Sequence, residues 1–321
     1  MGEAICRINP RIESSARKDF LANAIKLLLV IIFTLPEKAL AGRGRKPYDY
    51  RLIIVINILR ILLRKTYSDY EIEMRRDLRI CFLLKLEVLP GKSTIQRGMD
   101  NLSMSLLRKI NLVLIKEAIQ RKLNIMLDAS GIRIIGRSIW YSIRIKREIS
   151  KRECDKVHLA ACSDLHLILN WFITNGKKHD SPFFRRLLRP FKLLGKVLAD
   201  KGYLARVNFQ FVFNRKGSAF IPFKSNSTSK PKSHPAWKFA FNLWRSFRTI
   251  YESIYHQRSK IEAIFSALKK RFGDELYCKK ARMRRKEMAL RFIAYNLRII
   301  IYWRYANENN LNLWVRAKKS E

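Results

Sequence analysis

Acidic residues are scarce in this chain. Of its 321 residues only 26 are Asp or Glu, against 66 Lys or Arg, a formal net charge of +40. Such an excess repels itself in the compact state and is tolerated where a polyanion neutralises it. Nucleic acid is the first polyanion to consider, because phosphate neutralisation and counterion release drive its affinity; a membrane surface is the other. Cysteine is sparse too. Cys6, Cys81, Cys154, Cys162 and Cys278 are scattered, odd in number and without a C-x-x-C pair, which argues against a disulfide scaffold and suits a reduced cytoplasmic protein. No apolar run reaches the roughly 20 residues of a membrane span. The most tempting one, Leu27 to Leu35, is bounded by Lys26 and Pro36 and preceded by Arg, Glu and Asp, so a buried helix fits better than a signal peptide. The expectation is a soluble chain with no membrane partner. No internal repeat stands out, which argues against a solenoid or propeller. What is present is a 48% hydrophobic share, which excludes a wholly disordered chain, and a length that suits two ordinary domains.

Roughly the first 120 residues read as helical. Helices are predicted over Asn23–Leu35 and Tyr50–Arg64, separated by a basic linker in which Arg43, Arg45 and Lys46 lie between glycines and Pro47. That linker suits a minor-groove arm and a plain flexible connection equally. Ser68 to Glu71 and Ser93 to Gln96 both have the spacing of a capping box, with a hydroxyl at the cap and a carboxylate or amide reaching back to it. With the turn Pro90-Gly91-Lys92 between them and Arg97 on the second helix, the segment resembles a helix-turn-helix. Short capped helices occur in most helical domains, so DNA recognition through Arg97 and a purely structural role both stay open.

The pattern changes near Leu123. Short apolar or alternating runs at Asn124–Asp128, Ser138–Arg147, Lys156–Cys162, Leu165–Thr174, Lys196–Asp200, Phe209–Phe213 and Ala219–Phe223 read as strands. Ser181–Leu194 reads as a helix, and so does the stretch from Trp237 to about Asn307. The organisation expected is a helical DNA-binding region over 1–120, a mixed α/β domain over 121–307 and a tail over 308–321.

Asp128 and Asp200 share one setting, each closing an apolar run of strand length. Side chains there project into the crevice outside a sheet, where a carboxylate is costly unless paired or holding a cation. An Asp that merely starts a turn gives the same local pattern. Further on, Tyr255, Arg258, Glu262 and Lys269 stand at helical offsets of 0, 3, 7 and 14. At about 100° per residue they fall within a ~60° arc of one helix. Ile254, Ile261, Ile264, Phe265, Leu268 and Phe272 form the apolar face beside them. Spacing alone leaves open an ordinary solvated face with an Arg258–Glu262 pair.

The spacing Y-x2-R-x3-E-x6-K, from Tyr255 to Lys269, resembles the signature of insertion-sequence DDE transposases. Leu127-Asp128-Ala129-Ser130-Gly131 resembles the first motif of that family, with Ser130 where Thr is often seen. Ala199-Asp200-Lys201-Gly202-Tyr203 is similar to its second motif. His179-Asp180-Ser181 and Tyr295-Asn296-Leu297 also match in order. The resemblance runs from about Gly42 to Arg298. It implies an RNase H-like mixed-sheet catalytic domain behind a helical, helix-turn-helix-like N-terminal domain. It implies Asp128, Asp200 and Glu262 as catalytic carboxylates around two Mg²⁺ or Mn²⁺ ions, with Tyr255, Arg258 and Lys269 on phosphates of the transposon end. Such a centre would cut double-stranded DNA at transposon ends and join the 3′-hydroxyl to target DNA, as a homodimer in the DNA complex, in the nucleoid. Hard cations take carboxylate oxygens, and two of them activate the nucleophile and stabilise the leaving oxygen. A catalytically inactive, DNA-binding descendant of a transposase and an RNase H-like nuclease are the alternatives.

Lys279 to Lys286 holds six basic residues in eight, and Lys279, Lys280 and Arg282 are candidates for a DNA-backbone track. Cys154, His158, Cys162 and His166 recur every fourth residue, which invites zinc, but the strand-like alternation around them favours packing. The resemblance also implies Trp237 and Trp244 as candidates for stacking on a displaced base, with core packing the commoner fate of Trp.

Overall fold

A computed structural model describes residues 6–37, 48–134, 154–230 and 232–316. The basic linker with Arg43, Arg45 and Lys46 and the expected strand Ser138–Arg147 lie outside the described residues. The chain divides into two compact units, one of Ile119–Tyr277 and one of Gly2–Ala118 with Cys278–Glu321.

In the second unit a short strand β1 (Cys6–Ile8) is followed by helices α1 (Pro10–Ala16), α2 (Phe20–Phe33), α3 (Tyr50–Leu62), α4 (Tyr67–Arg76), α5 (Arg79–Leu83), α6 (Lys92–Asn101) and α7 (Met104–Ile115). The long α13 (Ala281–Glu308) packs against α3 and α7. Its residues Glu287 to Leu297 are buried on every face, as expected of a helix enclosed by others. Inside that contact Asn296 donates to Asn111 at 2.7 Å, and Glu287 pairs with Arg291 at 2.7 Å. The sequence grouping of 281–307 with the α/β domain therefore differs from the packing. Likewise the expected tail contributes β8 (Trp314–Arg316), which pairs antiparallel with β1. No helix among the described residues is long and apolar enough to cross a membrane.

Two expected capping boxes are replaced by different caps. The cap of α4 is Thr66, whose hydroxyl accepts from Asp69 N at 3.1 Å. Glu71 is thereby free to reach the start of α6, where Lys92 N donates to it at 2.9 Å. That helix begins after Gly91 with no side-chain cap of its own; the carboxylate of Glu71 takes the task and complements the helix dipole. Gly98 lets α3 and α6 touch: a Cβ there would stand 2.1 Å from Ile53 Cγ2.

The first unit is built on one sheet. Its strands are β2 (Leu123–Ile134), β3 (Cys154–Cys162), β4 (Ile168–Asn175), β5 (Leu194–Ala199) and β6 (Ser218–Phe220), in the order β4-β3-β2-β5-β6. β3 runs antiparallel to β2 and β4, whereas β5 is parallel to β2 and β6 parallel to β5. An antiparallel three-stranded meander extended by two parallel strands is the RNase H-like sheet. The two-residue β7 (Glu275–Leu276) adds to the far end of β2. Helix α8 (Ser181–Leu188) covers β3 and β4 through Phe183, Phe184, Leu187 and Leu188. Phe209–Phe213, read as a strand, lies instead in helix α9 (Arg206–Phe213), which buries Phe209 and Val212 and exposes Phe213. A five-residue apolar run does not distinguish the two periods.

Helices α10 (Pro235–Ser246), α11 (Arg248–His256) and α12 (Ser259–Phe272) follow. Trp237 is core: its ring meets Phe223 and Phe209 edge-on, and its Nε1 donates to Thr228 O at 2.8 Å. Trp244 packs 5.3 Å from the Phe223 ring.

Candidate active site

Asp128 is not where its sequence pattern puts it. It stands within β2, which continues to Ile134, rather than at its end. What ends beside it is the neighbour: Leu127 pairs with Ala199, the last residue of the parallel β5. Asp128, within β2, and Asp200, the residue just past the end of β5, therefore each follow one member of a paired couple on strands that lie roughly 4.8 Å apart. The chain leaves β5 at Asp200 directly into a 3-10 turn, Lys201–Tyr203.

Asp128 is mostly buried, with 20% of its side chain exposed. Its Oδ1 accepts from Ala129 N at 2.9 Å, and its Oδ2 accepts from Arg258 Nη1 at 2.9 Å. Burial pushes its pKa up, and the negative charges of Asp200 and Glu262 push the same way; the Ala129 amide and the Arg258 charge oppose without prevailing. The other arm of Arg258 donates to Glu262 Oε1 at 2.9 Å. One guanidinium thus gathers two carboxylates that are 134 residues apart in sequence.

The helix expected to carry Tyr255 through Lys269 is two helices. Tyr255 is the last residue but one of α11, and Arg258 sits at the N-cap of α12. Between them the winding tightens to i→i−3 bonds, with Arg258 N donating to Tyr255 O at 2.9 Å and Ile261 N to Arg258 O at 3.0 Å. Gln257 and Arg258 keep right-handed helical angles, so the chain does not turn away, and Arg258 still lies 6.0 Å from the Tyr255 ring. Glu262 falls in the first turn of α12, where the helix dipole favours a carboxylate. The expected apolar face is present, with Ile261, Ile264, Phe265, Leu268 and Phe272 buried. Lys269 Nζ donates to Ser130 Oγ at 3.2 Å. Ser130 is two residues beyond Asp128 and so on the same face of β2.

The donor set is all carboxylate oxygen, which fits a hard divalent cation. Among the described residues no three His, Cys, Asp or Glu side chains are grouped closely enough to hold a metal ion; between Asp128 and Glu262 the positive charge is Arg258. The residues of the four-residue Cys/His repeat are engaged in other contacts. His158 instead stacks on Phe183 at 4.1 Å, and Cys162 is a buried thiol whose pKa burial pushes up.

Arg97, Lys279, Lys280 and Arg282 belong to the other unit. Arg97 is exposed on α6, and Lys279 and Lys280 are exposed ahead of α13. Arg282 is partly neutralised, pairing with Asp100 at 2.5 Å. Asp180 and Tyr203 carry no role in the sequence reading, yet a Cβ on Gly202 would lie 3.9 Å from both Asp180 Oδ2 and Asp200 Oδ2, and the charges of Asp128 and Asp200 act on the buried Tyr203 phenol. The only signal was their place within short matched motifs.

The pattern of the family described as "Transposase DDE domain" matches residues 120–297. No curated protein matches the chain. A cryo-EM structure of a piggyBac transposase synaptic complex with hairpin DNA is similar at TM-score 0.45 and 11% identity, over 93% of this chain and 75% of that one. With more than half of its length matched, including Asp128, Asp200 and Glu262, the chain belongs to the transposase DDE domain family.

Proposed function

We propose that this protein is a DNA transposase that cleaves phosphodiester bonds at transposon ends and joins the freed 3′-hydroxyl to target DNA, with Asp128, Asp200 and Glu262 as its catalytic carboxylates. The observation that carries this is the placing of Asp128 in β2 next to the exit of β5 at Asp200, with Arg258 bridging Asp128 and Glu262. Asp128, Asp200 and Glu262 would hold two Mg²⁺ or Mn²⁺ ions, which supply a nucleophile at neutral pH and charge neutralisation of the leaving oxygen. The sheet would hold Asp128 and the turn after β5 would hold Asp200, and the first turn of α12 would bring Glu262 to them. Tyr255, Arg258 and Lys269 would orient the transposon-end phosphates. Arg258 suits a bidentate grip, and Lys269 acts as a point charge beside Ser130.

Double-stranded DNA is the partner that the net charge of +40 also favours. The helical unit would add affinity through Arg97 on α6 and the exposed Lys279 and Lys280, with Arg282 once released from Asp100. Holding two ends for joining requires at least two copies of the chain in the complex. The test is nicking and strand transfer on DNA carrying the inverted repeats that flank this gene. Cleavage without joining of pre-cut ends would favour a nuclease, and binding without either would favour an inactive descendant.

A further inference from the structure

A further polar group lies beside Asp200. Asp180 precedes α8 at its N-cap, where an Asp side chain ordinarily accepts from the first-turn amides, but it makes no such bond. Its Oδ1 faces β3 instead, 2.7 Å from Lys156 Nζ and 3.2 Å from Nδ1 of the fully buried His158. The imidazole is itself fixed, by its stack on Phe183 and by Thr174 Oγ1 at 3.1 Å from Nε2. One oxygen of Asp180 thus stands at ion-pair distance from Lys156 and His158, without a well-formed hydrogen bond, and the other, Oδ2, faces Gly202. Asp200 Oδ2 faces the same point, so the two oxygens are at most twice 3.9 Å apart. Gly202 keeps the space between them free of a side chain.

Tyr203 supplies the independent observation. It is 1% exposed, packed on Phe184, and its hydroxyl has no hydrogen-bond partner. The charges that act on that phenol are those of Asp180, Asp128, Asp200 and Arg258. A buried donor left unmet is costly, and a solvated ligand among these carboxylates would offset that cost.

We infer that Asp180 and Tyr203 are positioning residues of the centre, which hold the water layer of a divalent ion bound at Asp128 and Asp200 and do not ligate the ion directly. The inference rests on the metal centre proposed above. With Lys156 and His158 on one oxygen, Asp180 is a poor direct ligand but a good acceptor for a metal-bound water. Outer partners of this kind typically tune metal affinity 10–100-fold.

The test is Mn²⁺ binding to the full chain without DNA, followed by the electron paramagnetic resonance of free Mn²⁺, together with thermal melting. Asp180→Asn should weaken Mn²⁺ about 10-fold. Tyr203→Phe should weaken it less while raising the melting temperature. Asp200→Asn should abolish binding. Asp180→Asn and Tyr203→Phe binding like wild type, with Asp200→Asn inactive in binding, would overturn the inference alone. Asp200→Asn binding like wild type would overturn the metal centre itself. A loss in Asp180→Asn as complete as in Asp200→Asn would make Asp180 a direct ligand and contradict the positioning role. So would a loss that disappears at high salt, where long-range charge effects are screened. Should Asp180→Asn fail to melt cooperatively, Tyr203→Phe, which removes only an unmet hydroxyl, decides the matter.

Discussion

Arg258 and Asp128, 130 residues apart in the chain, are joined by a guanidinium-to-carboxylate hydrogen bond of 2.9 Å with both side chains mostly buried. Removing the cation leaves Asp128 half-enclosed without its charged partner. Arg258→Ala should therefore cost about 1–3 kcal/mol in urea denaturation at neutral pH. Adding Asp128→Asn should recover part of that loss, because no lone charge then remains. An Arg258→Ala chain as stable as wild type would count against the pairing.

Asp128 also sets a pH dependence. Its folded pKa is raised, by burial first, so the folded chain binds more protons than the unfolded one above the ordinary carboxylate range. Stability from this group is then present at low pH and lost as pH rises through the folded value. Asp128→Asn should gain stability relative to wild type as pH climbs through that window. A difference that is flat with pH, measured by melting at a series of pH values, would contradict the assignment.

His166 works in the opposite direction. Burial, aided by the charge of Lys260, lowers its pKa from 6.5 to about 4. The unfolded chain therefore binds the extra proton first, and stability falls as pH drops from 6.5 towards 4, by about 3 kcal/mol from this group. Its φ of 56° lies in the left-handed region, which Asn tolerates. His166→Asn should fold and should lose that share of the acid sensitivity.

Gly98 tests the helical unit. A methyl group would collide with Ile53 at 2.1 Å, so Gly98→Ala should destabilise by about 1–3 kcal/mol. Combined with Ile53→Ala, which opens room, the two changes should cost less than their sum. Chemical denaturation of the four chains closes that cycle.

The sequence pattern located the elements better than their ends. Buried runs such as Ile168–Asn175 and the apolar face of α12 were legible because periodicity reports burial directly. The sheet pairing was not: nothing in the local sequence says that Leu127 faces Ala199, so Asp128 read as a strand end. The break between Tyr255 and Ser259 was equally hidden, since Gln257 and Arg258 are ordinary helix formers and only their i→i−3 bonds reveal it. Caps failed for a related reason. Glu71 serves α6 across 21 residues rather than its own helix, a choice that packing makes. The four residues Tyr255, Arg258, Glu262 and Lys269 were legible as a set, whereas the side-chain partners of Arg258 were not.

Lys269 separates phosphate gripping from chemistry. Its ammonium rests on Ser130 Oγ at 3.2 Å and would neutralise one phosphate of a bound end. Lys269→Ala should weaken binding to any DNA sequence and reduce the slope of log affinity against log salt by about 1. An unchanged slope in a fluorescence-anisotropy titration would remove Lys269 from the DNA contact.

The central claim is that Asp128, Asp200 and Glu262 form one catalytic centre. Its most direct test is single-turnover cleavage of end DNA from the gene's own flanks by the full chain with Mg²⁺, for wild type, Asp128→Ala, Asp200→Ala and Glu262→Gln. Wild type should nick the transposon end, and all three variants should lose the nick while retaining DNA binding. Cleavage by any one variant at the wild-type rate would contradict the claim.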